Sequence, residues 1–307
     1  MYNLNKNKQN IKQIPKVDIS IIGGGIAGLY CAYKLSKNFK VILYDDRNYI
    51  GGRIYTDSNG LELGAARFNN SHKILLSLIK EFNLKKYELP LTIDYRDNNG
   101  KLYKNAHLEF DKLLKNVLNE TIVNEKLRNI TFYKHICNIT SKKNADHIVN
   151  LFGYHSEIVK MNAYDAYHTF KNDFGNIKYY ILIGGLSQLC QCLKKEIFKN
   201  GSIVKKKTKI KNVKKINNDF LVYSNKLLCQ SKKVIFAVKP SQLTQFHLLK
   251  PIHKYTKSIY ESPLLRIYVK YPKPIWFEDI NRTTTSNLLR HIIPINKETG
   301  LIMISYT

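Results

Sequence analysis

The chain has 307 residues, 44% of them hydrophobic, enough for a sizeable core and two domains, which excludes a disordered polypeptide. Lys and Arg number 50 against 23 Asp and Glu, a formal net charge of +27. No zinc-ligand spacing, RNA-recognition signature or basic region followed by heptads accompanies that charge, so specific nucleic-acid binding is not expected. The five cysteines form no CxxC pair or metal-ligand spacing and no secretory leader precedes them, so a reduced, cytoplasmic protein without a metal site is expected. No stretch of about 18 apolar residues is present to span a membrane.

Residues 1–15 are polar and basic and read as a flexible arm. Val17 to Ile22 is an apolar, β-branched run, the pattern of a strand buried on both faces. Gly23, Gly25 and Gly28 follow in the spacing G-x-G-x-x-G, and "LYCAYKL" continues as a helix suited to packing on a sheet. In such a turn Gly23 permits the tight bend, Gly25 lets a pyrophosphate approach backbone, and Gly28 lets helix and strand come close, with Ile26 and Ala27 supplying amides at the helix start. "KVILYDD", Lys40 to Asp46, is a second strand, and Asp45 at its end stands where a carboxylate accepts hydrogen bonds from an adenosine ribose. Asp46 is the less suited of the two acids by register.

These motifs leave NAD and FAD open, and the next segment separates them. "DDRNYIGGRIYT", Asp45 to Thr56, resembles the segment after the second strand in the flavin-containing amine oxidase family of monoamine, polyamine and L-amino-acid oxidases. The resemblance implies an FAD cofactor contacted by Asp45, Gly51, Gly52 and Arg53, with Arg47 in support. An Arg fork beside a helix N-terminus supplies the countercharge a diphosphate needs. "LELGAARF", Leu61 to Phe68, resembles the family segment beneath the flavin ring, where Gly64, Ala65 and Ala66 are small enough for a flat ring to lie against backbone. Arg67 matches the arginine that clamps the substrate carboxylate in L-amino-acid oxidases; a structural ion pair or a contact to the flavin are the other readings of that position.

From Ser71 to Ala163 the pattern is mostly helical, notably "HKILLSLIKEFNL" and "HLEFDKLLKNVLNE". The expected helix in "YYILIGGLSQLCQCLKKEI" puts Leu186, Leu189, Leu193 and Ile197 on one face, offers Ser187 as its cap, and turns Cys190 and Cys192 in different directions. Strands are expected around Ile203 to Val213, Phe220 to Tyr223 and in "KKVIFAVKP"; the densest basic run, Lys205 to Lys215, alternates with apolar residues as a solvated strand face does. Ile210 matches the family position whose backbone contacts the adenine, and fits an ordinary strand residue equally. "LLRIYVKYPKPIWF" resembles the family strand ending near a bulky Phe-Trp pair. It puts Arg266 where a lysine commonly holds a water beside the flavin; an arginine can place a water but cannot act as a base, and a structural ion pair is the other reading. His155 and His168 could line a substrate entry or be structural.

The resemblance implies an α/β fold: a Rossmann-like FAD-binding domain of the GR2 type in two segments, 16–75 and 176–242, and an inserted α+β substrate domain, 76–175 and 243–307. The family's C-terminal segment, which brings a second glycine-rich stretch back to the flavin, has no counterpart in the 307 residues. That implies a fragment of a longer product or a degenerate, inactive paralogue that binds flavin, and noncovalent FAD, since the usual attachment site would lie there. The expected activity is oxidation of an amine or L-amino acid by hydride transfer to flavin with O2 as acceptor. A related FAD-dependent desaturase or protoporphyrinogen oxidase is the alternative enzyme.

Overall fold

The computed structural model describes residues 14–173, 177–272, 280–296 and 298–306. Most of the N-terminal arm, together with Trp276 and Phe277, lies outside the described residues. The chain forms two compact units, each made of two segments: one runs to Glu88 and resumes over Tyr180–Tyr260, the other comprises Leu89–Tyr179 and the residues from Glu261 onward.

In chain order the first unit opens with β1 (Lys16–Ile22), α1 (Ile26–Leu35), β2 (Val41–Tyr44), β3 (Phe68–Asn69), α2 (Lys73–Glu81) and β4 (Lys86–Glu88). The second unit follows with β5 (Asp94–Arg96), β6 (Leu102–Tyr103), α3 (Ala106–Glu120), α4 (Phe132–Ile139), α5 (Lys142–Phe152), α6 (His155–Val159) and α7 (Ala163–Asp173). After β7 (Tyr179–Leu182), the chain returns to the first unit through α8 (Ser187–Lys199), β8 (Ile203–Lys205), β9 (Asn212–Ile216), β10 (Asp219–Tyr223), β11 (Leu227–Phe236), α9 (Pro240–Leu243) and α10 (His253–Thr256). The second unit ends with β12 (Arg266–Lys270), β13 (Thr283–Thr285), β14 (His291–Asn296) and β15 (Leu301–Tyr306).

The main sheet of the first unit has the order β8-β2-β1-β11-β10-β9. Its first four strands are parallel, β10 runs antiparallel to them, and β9, antiparallel to β10, points the same way as the first four. The residues of β1 and β2 divide between two cores. Ile19, Ile21, Val41 and Leu43 pack with α1 and α8, whereas Val17, Ile22, Ile42 and Tyr44 pack with Val213, Val222, Cys229 and Phe246. Both faces are covered, which is why these strands read as unbroken apolar runs. One polar group sits within the run: buried Ser20 lies 3.3 Å from the Cys229 Sγ, which also accepts the Tyr44 hydroxyl at 3.2 Å. Burial raises the Tyr44 phenol above its ordinary range.

Leu189, Leu193 and Ile197 of α8 are buried, as is Leu186 at its N-cap. Cys190 is buried and Cys192 half-exposed, on different sides of the helix. The Tyr33 hydroxyl of α1 donates to the Glu81 carboxylate of α2, and that hydrogen bond, aided by burial, pushes the phenol up to about 12. Ser187 does not cap α8, because its Oγ accepts the Thr56 backbone N–H instead, at 2.9 Å. The expected strand from Ile203 to Val213 is two strands, β8 and β9, joined by a loop over 206–211. Residues 84–105, expected to be helical, instead carry β4, β5 and β6. Asp97 accepts the Asn99 and Lys101 amides at 2.9 Å each and so builds the turn between β5 and β6.

The second unit has a sheet of order β12-β15-β14-β13-β5-β6 and a helical core holding Leu114, Phe132, Ile136, Ile148, Ile158 and Phe170. His135 is buried beside that core. Thr121 donates its hydroxyl to the Val117 carbonyl at 2.7 Å, so its oxygen is left to accept from the His135 Nε2–H at 2.9 Å. Burial lowers the imidazole below its ordinary range. A depressed imidazole leaves stability intact above the ordinary histidine range and removes it as pH falls through that range, because the unfolded chain binds the proton more readily. His135→Gln keeps an amide donor for Thr121 and cannot charge. The melting temperature of this variant should fall less steeply below neutrality than that of the unsubstituted protein; superimposable acid limbs would remove His135 from the account.

Candidate dinucleotide site

Gly23 and Gly25 lie between β1 and α1 and Gly28 in the first turn of α1, and the three do different work. Gly23 has φ +108°, and a Cβ there would lie 2.4 Å from the Ala237 carbonyl oxygen at the end of β11. A Cβ on Gly28 would lie 1.9 Å from the Gly23 carbonyl oxygen, so α1 could not approach β1 with any side chain at that position. Gly25 is unlike both. Its φ of −68° and ψ of 175° suit any residue, and a Cβ there would meet no protein atom nearer than the Gly52 Cα at 3.9 Å. Among the described residues no contact requires a glycine at 25. The same residue is the N-cap of α1, where no side chain caps the helix and no acid stands in the first turn. The Ile26 and Ala27 amides therefore open a helix whose dipole places about half a positive charge at this end.

Gly51 and Gly52 lie down on this turn. The Gly51 amide donates to the Gly24 carbonyl at 2.8 Å, Gly25 and Gly51 form a bridge, and a Cβ on Gly52 would come within 2.9 Å of the Gly25 Cα. Both have positive φ, +113° and +63°, which glycine adopts without strain. The result is a cradle walled by bare backbone from two segments.

Asp45 continues β2 at its carboxyl end and is buried. Its Oδ2 accepts the Gly24 amide at 2.6 Å and its Oδ1 the Arg47 amide at 2.8 Å. Each oxygen keeps a lone pair for a hydroxyl donor. Asp46 is exposed. The Arg47 guanidinium donates to the Gly52 carbonyl at 3.0 Å and to the Tyr49 hydroxyl at 2.5 Å, and so ties the acid's end of β2 to the paired glycines. Tyr49 in turn packs on Tyr55 with ring centroids 4.6 Å apart. Arg53 is exposed, and its carbonyl accepts the Ala65 amide at 2.8 Å. A Cβ on Gly64 would fall 1.8 Å from that carbonyl oxygen, which gives Gly64 a reason inside the protein for lacking a side chain.

Ala65 is exposed, Ala66 and Arg67 are half-buried, and the neighbouring Phe68 is buried in a stack on Tyr180 with centroids 5.8 Å apart. The segment is anchored by Glu62, whose Oε1 accepts the Leu186 amide at 2.6 Å and whose Oε2 accepts the Thr56 hydroxyl at 2.9 Å. The Ser187 amide donates back to the Thr56 Oγ1 at 3.1 Å. Burial, with the Glu62 charge adding to it, pushes the nearby Cys190 thiol up to about 12, so this cysteine is an inert packing residue. Sequence reasoning passed over Glu62 because it weighed "LELGAARF" for its small residues; an acid followed by a second segment ending in "GGLS" was the available signal.

Ile210 is buried in the 206–211 loop rather than in a strand, packed with Val213, Val222 and Phe246. Arg266 belongs to the second unit, where it is half-buried at the start of β12. His155 and His168 also lie in that unit: burial, with the Arg290 and Lys160 charges adding to it, lowers the His155 imidazole, and His168 is exposed against Tyr164. Among the described residues no three His, Cys, Asp or Glu side chains gather as a metal site, and no helix is long and apolar enough to cross a membrane.

A parallel β-α-β crossover with a glycine turn, an acid closing the second strand and a second glycine pair on the turn defines a Rossmann-like dinucleotide-binding fold. The model of the flavin containing amine oxidoreductase family matches residues 26–301, and the chain belongs to that family. Achacin from Lissachatina fulica is 44% identical over 81 residues, 24% of this chain and 15% of achacin. Flavin-containing amine oxidase B from Canis lupus familiaris is 35% identical over 80 residues, 24% of this chain and 15% of that protein. An L-amino-acid oxidase from Echis ocellatus is 32% identical over 94 residues, 29% and 18% of the two chains. These matched stretches span less than a fifth of each curated relative. Among solved structures, putrescine oxidase bound to putrescine has a TM-score of 0.75 at 18% identity, covering 94% of this chain and 75% of that one. Cyclohexylamine oxidase from Brevibacterium oxydans IH-35A has a TM-score of 0.73 at 15% identity, covering 94% and 74%. At these identities the likeness is one of fold.

Gly25 and Gly28 separate in a stability measurement. Gly25→Ala should leave unfolding free energy within about 1 kcal/mol of the original, the scale of an N-cap and chain-entropy change. Gly28→Ala should cost more than about 3 kcal/mol, since backbone must move to admit the methyl group. Equal losses in denaturant titrations would mean that Gly25 is held by the protein itself.

Proposed function

We propose that the first unit binds FAD noncovalently and that the chain serves the oxidation of an amine or L-amino acid, with O2 as the terminal acceptor. The observation that carries this reading is Gly25: a residue bare for no reason of fold, at an uncapped helix start, in a chain of a flavin-containing family. The cradle suits the diphosphate. Amides of Gly25, Ile26, Ala27 and Gly28 would face it, Gly52 would close over it, and Arg53 would supply countercharge from its exposed position. Asp45, already oriented by the Gly24 and Arg47 amides, would accept the ribose hydroxyls. Arg47 would act as a brace, and the backbone beside Ile210 would meet the adenine.

When bound, the flavin supplies a two-electron acceptor. What this chain contributes is the placing of the substrate's α-carbon and the exclusion of water. The segment from Gly64 to Arg67 is held by the Arg53 carbonyl and by Glu62, so its small residues would present backbone to the ring. Arg67 would pair with a substrate carboxylate through its guanidinium fork and so favour amino acids over simple amines. The Arg266 guanidinium carries donors and no acceptor, so it would orient water rather than abstract a proton. The second unit would carry the substrate contacts.

A second reading has its own support: a zeta-carotene desaturase from Arabidopsis thaliana is 34% identical over 77 residues, so the matching stretch is shared with a protein named for desaturation. The visible spectrum and its response to substrate decide between them. The purified chain should be yellow, acid precipitation should release FAD into the supernatant, and an amine or L-amino acid should bleach the colour anaerobically. A yellow protein that no amine bleaches would favour the desaturase reading or an inactive flavin binder, and a folded chain that neither carries nor takes up FAD would overturn the site. Gly25→Ala should fold but lose the colour. Asp45→Ala should weaken FAD about tenfold or more, since hydrogen bonds to a charged group are worth roughly 1.5–3 kcal/mol. Arg67→Ala should abolish turnover of amino acids while sparing simple amines; equal loss on both would assign Arg67 to the flavin or to the fold.

A further inference from the structure

We propose that the loop over 206–211 is an electrostatic funnel that speeds capture of the dianionic dinucleotide at its adenosine end, an inference that rests on the FAD reading above. The loop is fastened to the ribose-binding acid by backbone. The Asp45 amide donates to the Lys205 carbonyl at 2.9 Å, the Thr208 amide to the Asp45 carbonyl at 2.8 Å, and the Lys207 amide to the Arg47 carbonyl at 2.8 Å. Lys206, Lys207, Lys209 and Lys211 are all exposed on it. Among the described residues none of these four has a carboxylate within ion-pair distance. Their charge is directed at solvent beside the mouth of the cradle.

Lys207 adds a second, independent observation. Its φ is +53°, a left-handed conformation that costs a side-chain-bearing residue energy and that Gly or Asn adopts more readily. Of the five described residues other than glycine with positive φ, three are asparagines, Asn83, Asn105 and Asn217, and the other two are Lys207 and Arg290. At Lys207 the chain accepts backbone strain and keeps a cation. The acids nearby make the need plain. Buried Asp45 and exposed Asp46 stand at the same end of β2 and repel an approaching phosphate, and cations on the loop whose backbone bonds Asp45 and Arg47 oppose that repulsion over the reach of a Debye length, roughly 8–10 Å at physiological salt. Such a field acts on encounter and leaves the bound complex nearly untouched.

The test is rapid mixing of the full-length apoprotein with FAD, followed by quenching of flavin fluorescence over a series of salt concentrations. The triple variant Lys206→Gln, Lys207→Gln, Lys209→Gln should associate more slowly at low salt by on the order of tenfold, the low end of steering effects. The difference should shrink as salt rises, and dissociation should stay within about twofold, as expected for charges outside the contact. A control variant removes the same charge from the opposite end of the parallel strands, at Lys37, Lys195 and Lys199, and should lose much less. Equal slowing in both variants would assign the effect to overall charge, and a loss confined to dissociation would make the lysines contacts; either result overturns the funnel while leaving the FAD site intact. Absence of quenching by the unsubstituted protein would overturn the FAD reading and the funnel with it.

Discussion

Everything in the first unit depends on how near α1 comes to the end of β1. The Gly23 carbonyl oxygen occupies the space where a side chain on Gly28 would begin, and the Ala237 carbonyl does the same to Gly23. These two contacts set the helix against the sheet and fix the direction of its amides. Because the turn then presents only backbone, the Gly51–Gly52 pair can settle on it, and Arg47 can reach from the end of β2 to the Gly52 carbonyl. Packing inside the fold and the shape of the cradle are thus one arrangement seen from two sides.

The glycines of this chain divide by what forbids a side chain. At Gly23, Gly28, Gly51 and Gly64 the obstacle is another part of the backbone, and the fold alone accounts for them. At Gly25 the described residues present no such obstacle. A bare residue there costs backbone entropy, and the ligand proposed above would account for it. Such a ligand would meet helix amides first, which favours negative charge.

The crossover was legible in the sequence because its signals are local. A β-branched run, glycines at fixed spacing, a helix period and an acid after a second apolar run lie within thirty residues and need no knowledge of distant chain. The Leu186, Leu189, Leu193 and Ile197 face was legible for the same reason: a helix repeats its pattern along itself. What escaped was non-local. Ser187 looks like a cap because it precedes an apolar periodic run, yet its partner is Thr56, 131 positions away. Gly64 has a further reason for lacking a side chain, the Arg53 carbonyl beside it, which no local pattern announces. The basic run from Lys205 to Lys215 alternates like a strand, but the demand that Asp45 and Arg47 be bonded by its backbone bends it into a loop. Residues 84–105 lost their helical reading to Asp97 and Gly100, whose turn chemistry outweighed a periodicity sustained only on either side.

Two helix starts within the first unit are treated differently by the chain. α1 and α8 pack side by side on the same face of the sheet, and each places its dipole's positive end among loops. At α8 the protein supplies the countercharge itself: the Glu62 carboxylate takes the Leu186 amide and is locked there by Thr56. At α1 it supplies none, for no side chain caps the helix and its first turn is free of acids, although Asp45 lies close enough to bond Gly24. Asp45 is held away from the helix by its two backbone partners, Gly24 and Arg47, and by the shortness of its side chain. A fold that neutralises one helix start with its own carboxylate leaves the second, among the described residues, without one in its first turn, and the diphosphate proposed above would complete that start.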